Sequence, residues 1–182
     1  MVKLLDKEVA GFRTKRFKDV YRVLILDGLW IHHEWIRVAW PFPVWKVVLV
    51  VLGVRDDGRK ELLSFQVVPS EKECYWWGFL LDLKNRGLVG ENLEVVVHDG
   101  AGGLSSAVSI VYPKAMVQRC IFHKVSNLAA NLRNFAHKRA ILKDASDIYQ
   151  AERLVEVRKR LQIRQHQKRR KDTLWTDFLC SQ

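Results

Sequence analysis

The sequence predicts an α/β fold, a mixed β-sheet with helices on its faces, and three patterns support this. An apolar run rich in Val, Ile and Leu comes first, two further apolar runs flank an Asp-Gly pair, and the rest alternates helical and strand patterns. An antiparallel hairpin followed by β-α-β units requires a sheet of mixed strand direction. We therefore expect strand, strand, strand, helix, strand, helix, strand, helix.

The first three strands are predicted over residues 21–31, 45–55 and 61–68. Residues 21–31 (YRVLILDGLWI) are dense in branched aliphatic side chains, a composition typical of a strand buried on both faces. The second and third runs are separated by Asp56-Asp57-Gly58-Arg59. Because an Asp-Gly pair tolerates the positive φ angles of tight turns, these two runs are expected to form a hairpin.

The first helix is predicted to run from Ser70 to about Arg86. Ser70-Glu71-Lys72-Glu73 fits a capping box, in which the Ser hydroxyl and a Glu carboxylate satisfy free backbone N–H groups reciprocally. Gly87 suits the end of the helix, since glycine readily adopts the left-handed conformation common there.

The second half of the chain continues the alternation of strands and helices. The predicted elements are a strand over 93–98, a helix over 104–112, a strand over 116–122, a helix from 124 to about 142 and a helix over 144–167. Ribonuclease H-like folds have this order, although several other α/β folds begin similarly.

Composition places the chain among cytoplasmic globular proteins. With 182 residues and 48% hydrophobic content it suits a domain with a sizeable core. No apolar run approaches the length of a membrane span, and the N-terminus lacks the apolar region of a signal peptide. Three scattered cysteines, Cys74, Cys120 and Cys180, are expected to be reduced thiols.

The net charge of +11 is unevenly distributed. Residues 21–112 hold 9 basic and 11 acidic residues, whereas residues 113–143 hold 7 basic and no acidic residue. Residues 150–182 hold 9 basic and 4 acidic residues. Basic segments after a near-neutral first half suggest a polyanionic partner, most simply DNA. A solvated basic surface without a partner remains the alternative.

Two aspartates are candidates for metal chemistry. Asp27 interrupts an apolar strand and Asp99 directly follows another. A carboxylate in a buried strand is costly unless it is paired, hydrogen-bonded or metal-bound. If the two strands are neighbours, both carboxylates would face each other and bind a hard divalent cation. The alternative is that both Asp-Gly pairs form turns, which is the weaker interpretation for Asp99 because a glycine-rich segment leads from it into a helix.

The chain resembles Mutator-type insertion-sequence transposases over roughly residues 20–150. The resemblance rests on three stretches: Leu26-Asp27-Gly28, the hairpin residues 52–63, and residues 98–127 with HDGAGGL, VYPKA and VQRCIFHKVSN. It implies a ribonuclease H-like catalytic core of the DDE type, with Asp27 and Asp99 as catalytic metal ligands for Mg²⁺ or Mn²⁺. The implied activity is cleavage and strand transfer of DNA at element ends and targets.

The Cys120-x-x-His123 pair recurs in that family. It could be half of a zinc site, but structural zinc usually has four ligands, and only Cys74 and His98 are further candidates in the core. We favour packing and hydrogen bonding of Cys120 and His123 near the active site.

Four basic residues are candidates for phosphate contacts. They lie along the helix that follows the Cys-x-x-His pair: Lys124, Arg133, Lys138 and Arg139. An ordinary solvated face is the alternative, since their spacing forms no single stripe.

The resemblance also shows departures from the family. Residues 1–20 correspond to an N-terminal remnant, 21–143 to the catalytic core, and 144–182 to the start of a helical insertion with a basic tail. The family's third carboxylate, a late Glu, is expected beyond this chain, and Glu152 and Glu156 are not expected to replace it. The isolated chain should therefore lack full strand transfer.

Two further functions stay open. The first is a non-catalytic DNA-binding remnant that interferes with an intact transposase through mixed oligomers. The second is a ribonuclease H-like nuclease for another substrate, which the Cys-x-x-His block argues against. The protein is expected to be located in the cytoplasm, in association with the nucleoid and without membrane contact. Homo-oligomer formation is left open by the sequence.

Overall fold

The structure, a computed structural model, describes residues 10–33, 44–131, 139–140, 142–143, 145–147 and 150. The chain divides into two compact units, Met1–Gln118 and Arg119–Gln182. The elements along the described residues are β1 (Tyr21–His33), β2 (Val44–Arg55), β3 (Lys60–Val68), α1 (Glu73–Asn85), β4 (Val95–His98), α2 (Gly102–Val111), β5 (Met116–Arg119) and α3 (Ile121–Asn131). Within the described ranges, every helix is too short or too polar to traverse a bilayer.

The five strands form one mixed sheet in the order β3-β2-β1-β4-β5. β2 is antiparallel to both β1 and β3, whereas β4 is parallel to β1. The parallel pair is connected through β2, β3 and α1, as a crossover between parallel neighbours requires. This confirms the predicted α/β fold with a mixed sheet and flanking helices, the arrangement expected of a ribonuclease H-like chain.

The central strand β1 is buried on one face rather than on both. Leu24 and Leu26 are 0% and 2% exposed, whereas the alternating residues Ile25 and Asp27 are only half-buried. Successive side chains of a strand point to opposite faces, and here the face of Leu24 joins the core formed with α1 and α2. The expectation of burial on both faces is therefore wrong, because a run of aliphatic residues does not itself report what covers each face.

The core of the first unit lies between the sheet and the helices α1 and α2. Its fully buried side chains include Leu24, Leu49, Val51, Leu63, Trp76, Leu80, Leu83, Val96, Leu104 and Val108. Burying one such aliphatic or aromatic side chain contributes about 1.5–3 kcal/mol. Residues of this core belong to β1, which contains Asp27, and to β4, which directly precedes Asp99.

The predicted hairpin is confirmed. The Arg55 amide donates to the Arg59 carbonyl at 3.0 Å, and the Gly58 amide donates to the Arg55 carbonyl at 2.9 Å. Gly58 has φ +78°, a conformation that side-chain-bearing residues rarely adopt. Asp57 Oδ1 accepts from the Arg59 amide at 3.0 Å, so both residues of the Asp-Gly pair shape the turn.

The predicted capping box is wrong. α1 begins at Glu73, its N-cap is Lys72, and no side chain caps the helix. Ser70 and Glu71 therefore lie in the connection before the helix rather than within its first turn. The predicted end is correct, since α1 ends at Asn85 and Gly87 adopts φ +108°.

The predicted strand over 116–122 is too long. β5 ends at Arg119, and α3 begins at Ile121 rather than at Lys124. The amide of Lys124 donates to the carbonyl of Cys120 at 3.1 Å, a helical bond that draws the Cys120 segment into α3. The apolar residues Ile121 and Phe122, which suggested a strand, are exposed on this helix. Most of the predicted helix over 144–167, with Glu152 and Glu156, lies outside the described residues.

Candidate metal site at the ends of the central strands

The register of the parallel strands β1 and β4 has the same offset as the separation of Asp27 and Asp99. Val23 pairs with Val95, and Ile25 pairs with Val97, so partners differ by 72 positions. Asp27 and Asp99 also differ by 72 positions, and the same offset continued past β4 brings them side by side. Neighbouring strands lie about 4.8 Å apart. If the offset of 72 holds for two further residues, Asp27 and Asp99 are neighbours across the two strands.

Asp27 lies on the sheet face opposite α1 and α2, and the alternation of β4, continued by one residue, assigns Asp99 to the same face. Asp27 shares its face with Ile25 by alternation, and Val97 is the partner of Ile25. Ile25, Val97, Asp27 and Asp99 are all half-buried, whereas Leu26 on the other face is buried. This face thus carries half-buried aliphatic side chains, with carboxylates near the ends of the strands.

Asp27 lies within a strand, not in a turn. Its Cα partner across the antiparallel pair is Val50, and β1 continues beyond it to His33. Its Oδ1 accepts a hydrogen bond from the Gly28 amide at 3.0 Å. The alternative that the Asp27-Gly28 pair forms a turn is therefore excluded.

Asp99 is placed by the turn that leads into α2. Its Oδ1 accepts from the Ala101 amide at 2.9 Å, and Gly100 adopts φ +93°. The side chain of Asp99 remains 33% exposed. The turn and a metal-binding role do not compete here, because the turn holds the carboxylate at the accessible end of the sheet.

His98 supports the same turn from the buried side. Its ring is 1% exposed, and its Nδ1 accepts a hydrogen bond from the Gly100 amide at 2.9 Å. A ring nitrogen that accepts from an N–H carries no proton, so the proton of the neutral ring is on Nε2. His98 consequently acts as a backbone acceptor that orients the segment after Asp99.

The donor set suits a hard divalent cation. Mg²⁺ is commonly held in proteins by one or two carboxylates together with waters and substrate phosphates. Throughout the part of the chain that is described, no three His, Cys, Asp or Glu side chains are grouped to hold a metal ion. The residues present therefore fit an open two-carboxylate site, not a closed structural site.

Glu71 also lies in this region, although it was not among the predicted site residues. A Cβ built on Gly28 would lie 2.5 Å from both Cδ and Oε1 of Glu71. The Glu71 carboxylate therefore lies directly against the backbone that follows Asp27. The sequence offered no separate indication, because Glu71 occupies a variable position of the predicted Ser-x-x-Glu capping box.

The second unit holds the other predicted site residues. Cys120 is half-buried, and His123 makes an edge-to-face contact with Phe122 at 5.9 Å between ring centroids. Lys124 is half-buried, and burial followed by repulsion from Arg119 lowers the pKa of its ammonium group. Arg139 is exposed, whereas Arg133 and Lys138 lie outside the described residues.

Comparison with known proteins identifies the family. Residues 1–175 match the sequence profile described as transposase, Mutator family. The transposase for insertion sequence element IS905 of Lactococcus lactis subsp. lactis (strain IL1403) is 32% identical over 152 residues, covering 84% of this chain and 37% of that protein. The transposase for ISRM5 of Rhizobium meliloti (strain 1021) is 35% identical, covering 71% of this chain and 31% of that protein.

A third relative is the transposase for IS6120 of Mycolicibacterium smegmatis, 43% identical over 105 residues, which cover 58% of this chain and 32% of that protein. The chain thus spans about a third of the length of these curated relatives. Among solved structures, a chain of the simian T-cell lymphotropic virus intasome in complex with PP2A regulatory subunit B56 gamma aligns with a TM-score of 0.38. That alignment has 10% identity and covers 70% of this chain and 49% of that chain.

Proposed function

Because the chain belongs to the Mutator family of transposases, we propose that its sheet carries two of the catalytic metal ligands of a DDE-type transposase. The ligands are Asp27 and Asp99, and the observation that supports the proposal is the 72-residue offset of the β1–β4 register, which equals the separation of the two aspartates. The reaction would be metal-dependent cleavage and transfer of DNA strands, completed by a third carboxylate that lies elsewhere in the protein.

The part played by this chain's own residues follows from the site. Asp27 and Asp99 would hold Mg²⁺ or Mn²⁺ through carboxylate oxygens, while the Gly28 and Ala101 amides fix the rotamer of each side chain. When bound, such an ion supplies Lewis-acid activation of a phosphodiester. Both carboxylates are half-buried, and charge interactions are stronger where water is partly excluded.

DNA is the partner that the charge distribution supports. The described helix α3 and the segment before it carry Arg119 and Lys124, and residues 113–143 contain 7 basic and no acidic residue. Phosphate contacts of lysine and arginine release counterions, which makes binding salt-dependent. Arg139 and, by sequence, Arg133 and Lys138 are proposed contacts on this segment, whereas half-buried Lys124 is the least accessible of the four.

The proposal is tested by titrating the 182-residue chain with Mn²⁺ and measuring free Mn²⁺ by electron paramagnetic resonance. Asp27→Asn and Asp99→Asn should each weaken binding by at least about tenfold, since even residues that only orient a metal ligand have effects of that size. Asp56→Asn is the matched control, because it removes the same charge at the exposed hairpin turn.

Equal losses in all three variants would show diffuse attraction of the cation and overturn the two-aspartate site. Metal-independent DNA retention combined with no Mn²⁺ binding at the aspartates would instead favour the alternative of a non-catalytic DNA-binding remnant.

A further inference from the structure

We propose that Glu71 is a positioning residue for the Asp27–Asp99 pair, connecting the strand that carries the first aspartate to the helix that follows the second. The inference rests on the proposed function and extends it to a residue outside the carboxylate pair. It is carried by the contact of the Glu71 side chain at Gly28 and by the contact of the main chain of residues 71–73 at Gly103.

The first contact is made by the side chain. A Cβ on Gly28 would lie 2.5 Å from Glu71 Cδ, 2.5 Å from Oε1 and 3.0 Å from Oε2. Real Cβ atoms do not approach so closely, so the carboxylate occupies the space that any other residue at position 28 would need. Gly28 directly follows Asp27, and its amide donates to Asp27 Oδ1. The Glu71 carboxylate therefore abuts the peptide that orients Asp27.

The second contact is made by the main chain of the same segment. A Cβ on Gly103 would lie 2.9 Å from the Glu73 amide nitrogen and 3.4 Å from the Glu71 carbonyl oxygen. Gly103 belongs to the first turn of α2, four residues after Asp99. The residues 71–73 thus lie against the beginning of the helix whose preceding turn holds Asp99.

The alternation of β1 separates Glu71 from direct metal binding. Side chains of consecutive strand residues point to opposite faces, so the side of Gly28 that meets Glu71 is opposite to the side chain of Asp27. The absence of any group of three metal-ligating side chains in the described ranges agrees with this. Glu71 therefore acts through the backbone of Gly28, which its side chain contacts, while the main chain of the same segment lies against Gly103.

A double-mutant cycle tests this role with Mn²⁺ as the probe. Glu71→Ala should weaken Mn²⁺ binding about tenfold, as is usual for residues that orient ligands. Gly28→Ala should have a similar effect, because its new methyl group displaces the carboxylate at the flexible end of the Glu71 side chain. The double variant should be no weaker than either single one, since both changes remove one contact.

Two further variants separate positioning from charge. Glu71→Gln keeps the shape of the side chain and should bind Mn²⁺ within about twofold of the unaltered chain, the range in which independent sites are indistinguishable. Glu73→Ala removes a charge from an exposed side chain two residues away and should also leave binding unchanged. Equal losses in Glu71→Gln and Glu71→Ala would show that charge is responsible and overturn the inference.

A metal-free measurement makes the two proposals distinguishable. The amide resonance of Gly28, the donor to Asp27, should shift in Glu71→Ala and remain in place in Glu73→Ala. If Asp27→Asn and Asp99→Asn abolish Mn²⁺ binding while Glu71→Ala changes neither binding nor this resonance, the Glu71 inference fails and the proposed function stands. If the resonance shifts but the unaltered chain binds no Mn²⁺, the metal function fails, and the inference that Glu71 positions a metal site is overturned with it.

Discussion

The guanidinium group of Arg86 donates a hydrogen bond to the hydroxyl of Ser64 at 3.1 Å, joining the end of α1 to the edge strand β3. Arg86 is 8% exposed and Ser64 is 2% exposed. Other N–H groups of Arg86 donate to Asp82 Oδ2 at 2.9 Å and to the carbonyl of Phe12 at 2.9 Å. One arginine thus ties the helix, the sheet and the segment before β1 together.

Arg86→Lys should lower the free energy of unfolding by about 2–4 kcal/mol. Lysine keeps the charge but cannot reproduce the planar set of donors, so buried acceptors lose partners. Urea denaturation followed by circular dichroism measures the change. Arg16→Lys is the control, since Arg16 is exposed and makes one long bond to Asn85 O at 3.4 Å. Equal stability of Arg86→Lys and the unaltered chain would show that the network contributes little.

Glu61 is the acceptor of a second network, on β3. Its carboxylate pairs with Lys15, accepts from Arg55 at 2.7 Å and accepts from the Tyr21 hydroxyl at 2.9 Å. These donors, Lys15 first, lower the pKa of Glu61 from 4.5 to about 2, against the opposing effect of burial. The ionised form is therefore favoured in the folded chain.

The depressed pKa of Glu61 gives a signed prediction for acid stability. Stability from this carboxylate is fully present above pH 4.5 and is lost as the pH falls towards about 2. Glu61→Gln should be less stable than the unaltered chain at pH 7, and the difference should shrink between these two pH values. Thermal unfolding across that interval tests this, with Glu91→Gln in an exposed loop as the control. A difference that stays constant with pH would assign the effect to packing.

Gly87 and Gly78 form a matched pair of glycines around α1. Gly87 adopts φ +108°, and a Cβ there would lie 2.5 Å from the Phe17 carbonyl oxygen, whereas nothing lies within 4 Å of a Cβ on Gly78. Gly87→Ala should cost at least about 2 kcal/mol, because backbone strain adds to a contact with rigid main chain. Gly78→Ala should stabilise by about 0.5–1 kcal/mol through helix propensity. Urea midpoints that move in the same direction would contradict the argument.

Local patterns predicted the elements of this chain well where one short-range rule dominates. The Asp57-Gly58 pair predicted the hairpin, and Gly87 predicted the end of α1, because each turn needs a backbone conformation that few residues adopt. The beginning of α1 was misplaced. Ser70 and Glu73 satisfy the sequence rule for a capping box, yet the helix begins only at Glu73, and the side chain of Glu71 lies against Gly28.

The candidate site was predictable only in part. Asp27 and Asp99 stand out in apolar surroundings, and their separation of 72 becomes meaningful once Val23 is known to pair with Val95. Strand register is a long-range property that no local pattern contains. The supporting residues His98 and Glu71 were not predictable as such, because a buried acceptor and a space-filling carboxylate are defined by their neighbours rather than by spacing.

Tyr112, in the motif that first suggested the family, has a structural explanation that can be tested separately from the metal site. It is 4% exposed, its hydroxyl donates to the Leu88 carbonyl at 3.0 Å, and its ring fills the space beside Gly90. Burial, followed by the nearby charge of Asp19, raises the pKa of its phenol above the usual 10.0.

Tyr112→Phe should lower the free energy of unfolding by about 1–2 kcal/mol at pH 7, since the buried Leu88 carbonyl loses its donor. Because a raised pKa favours the neutral phenol in the folded chain, the tyrosine's contribution should decline as the pH rises above 10, so the two proteins should converge there. Mn²⁺ affinity should be unchanged, because Tyr112 follows α2 at the end distant in sequence from Asp99. Loss of metal affinity with intact stability would instead place this tyrosine in the functional site.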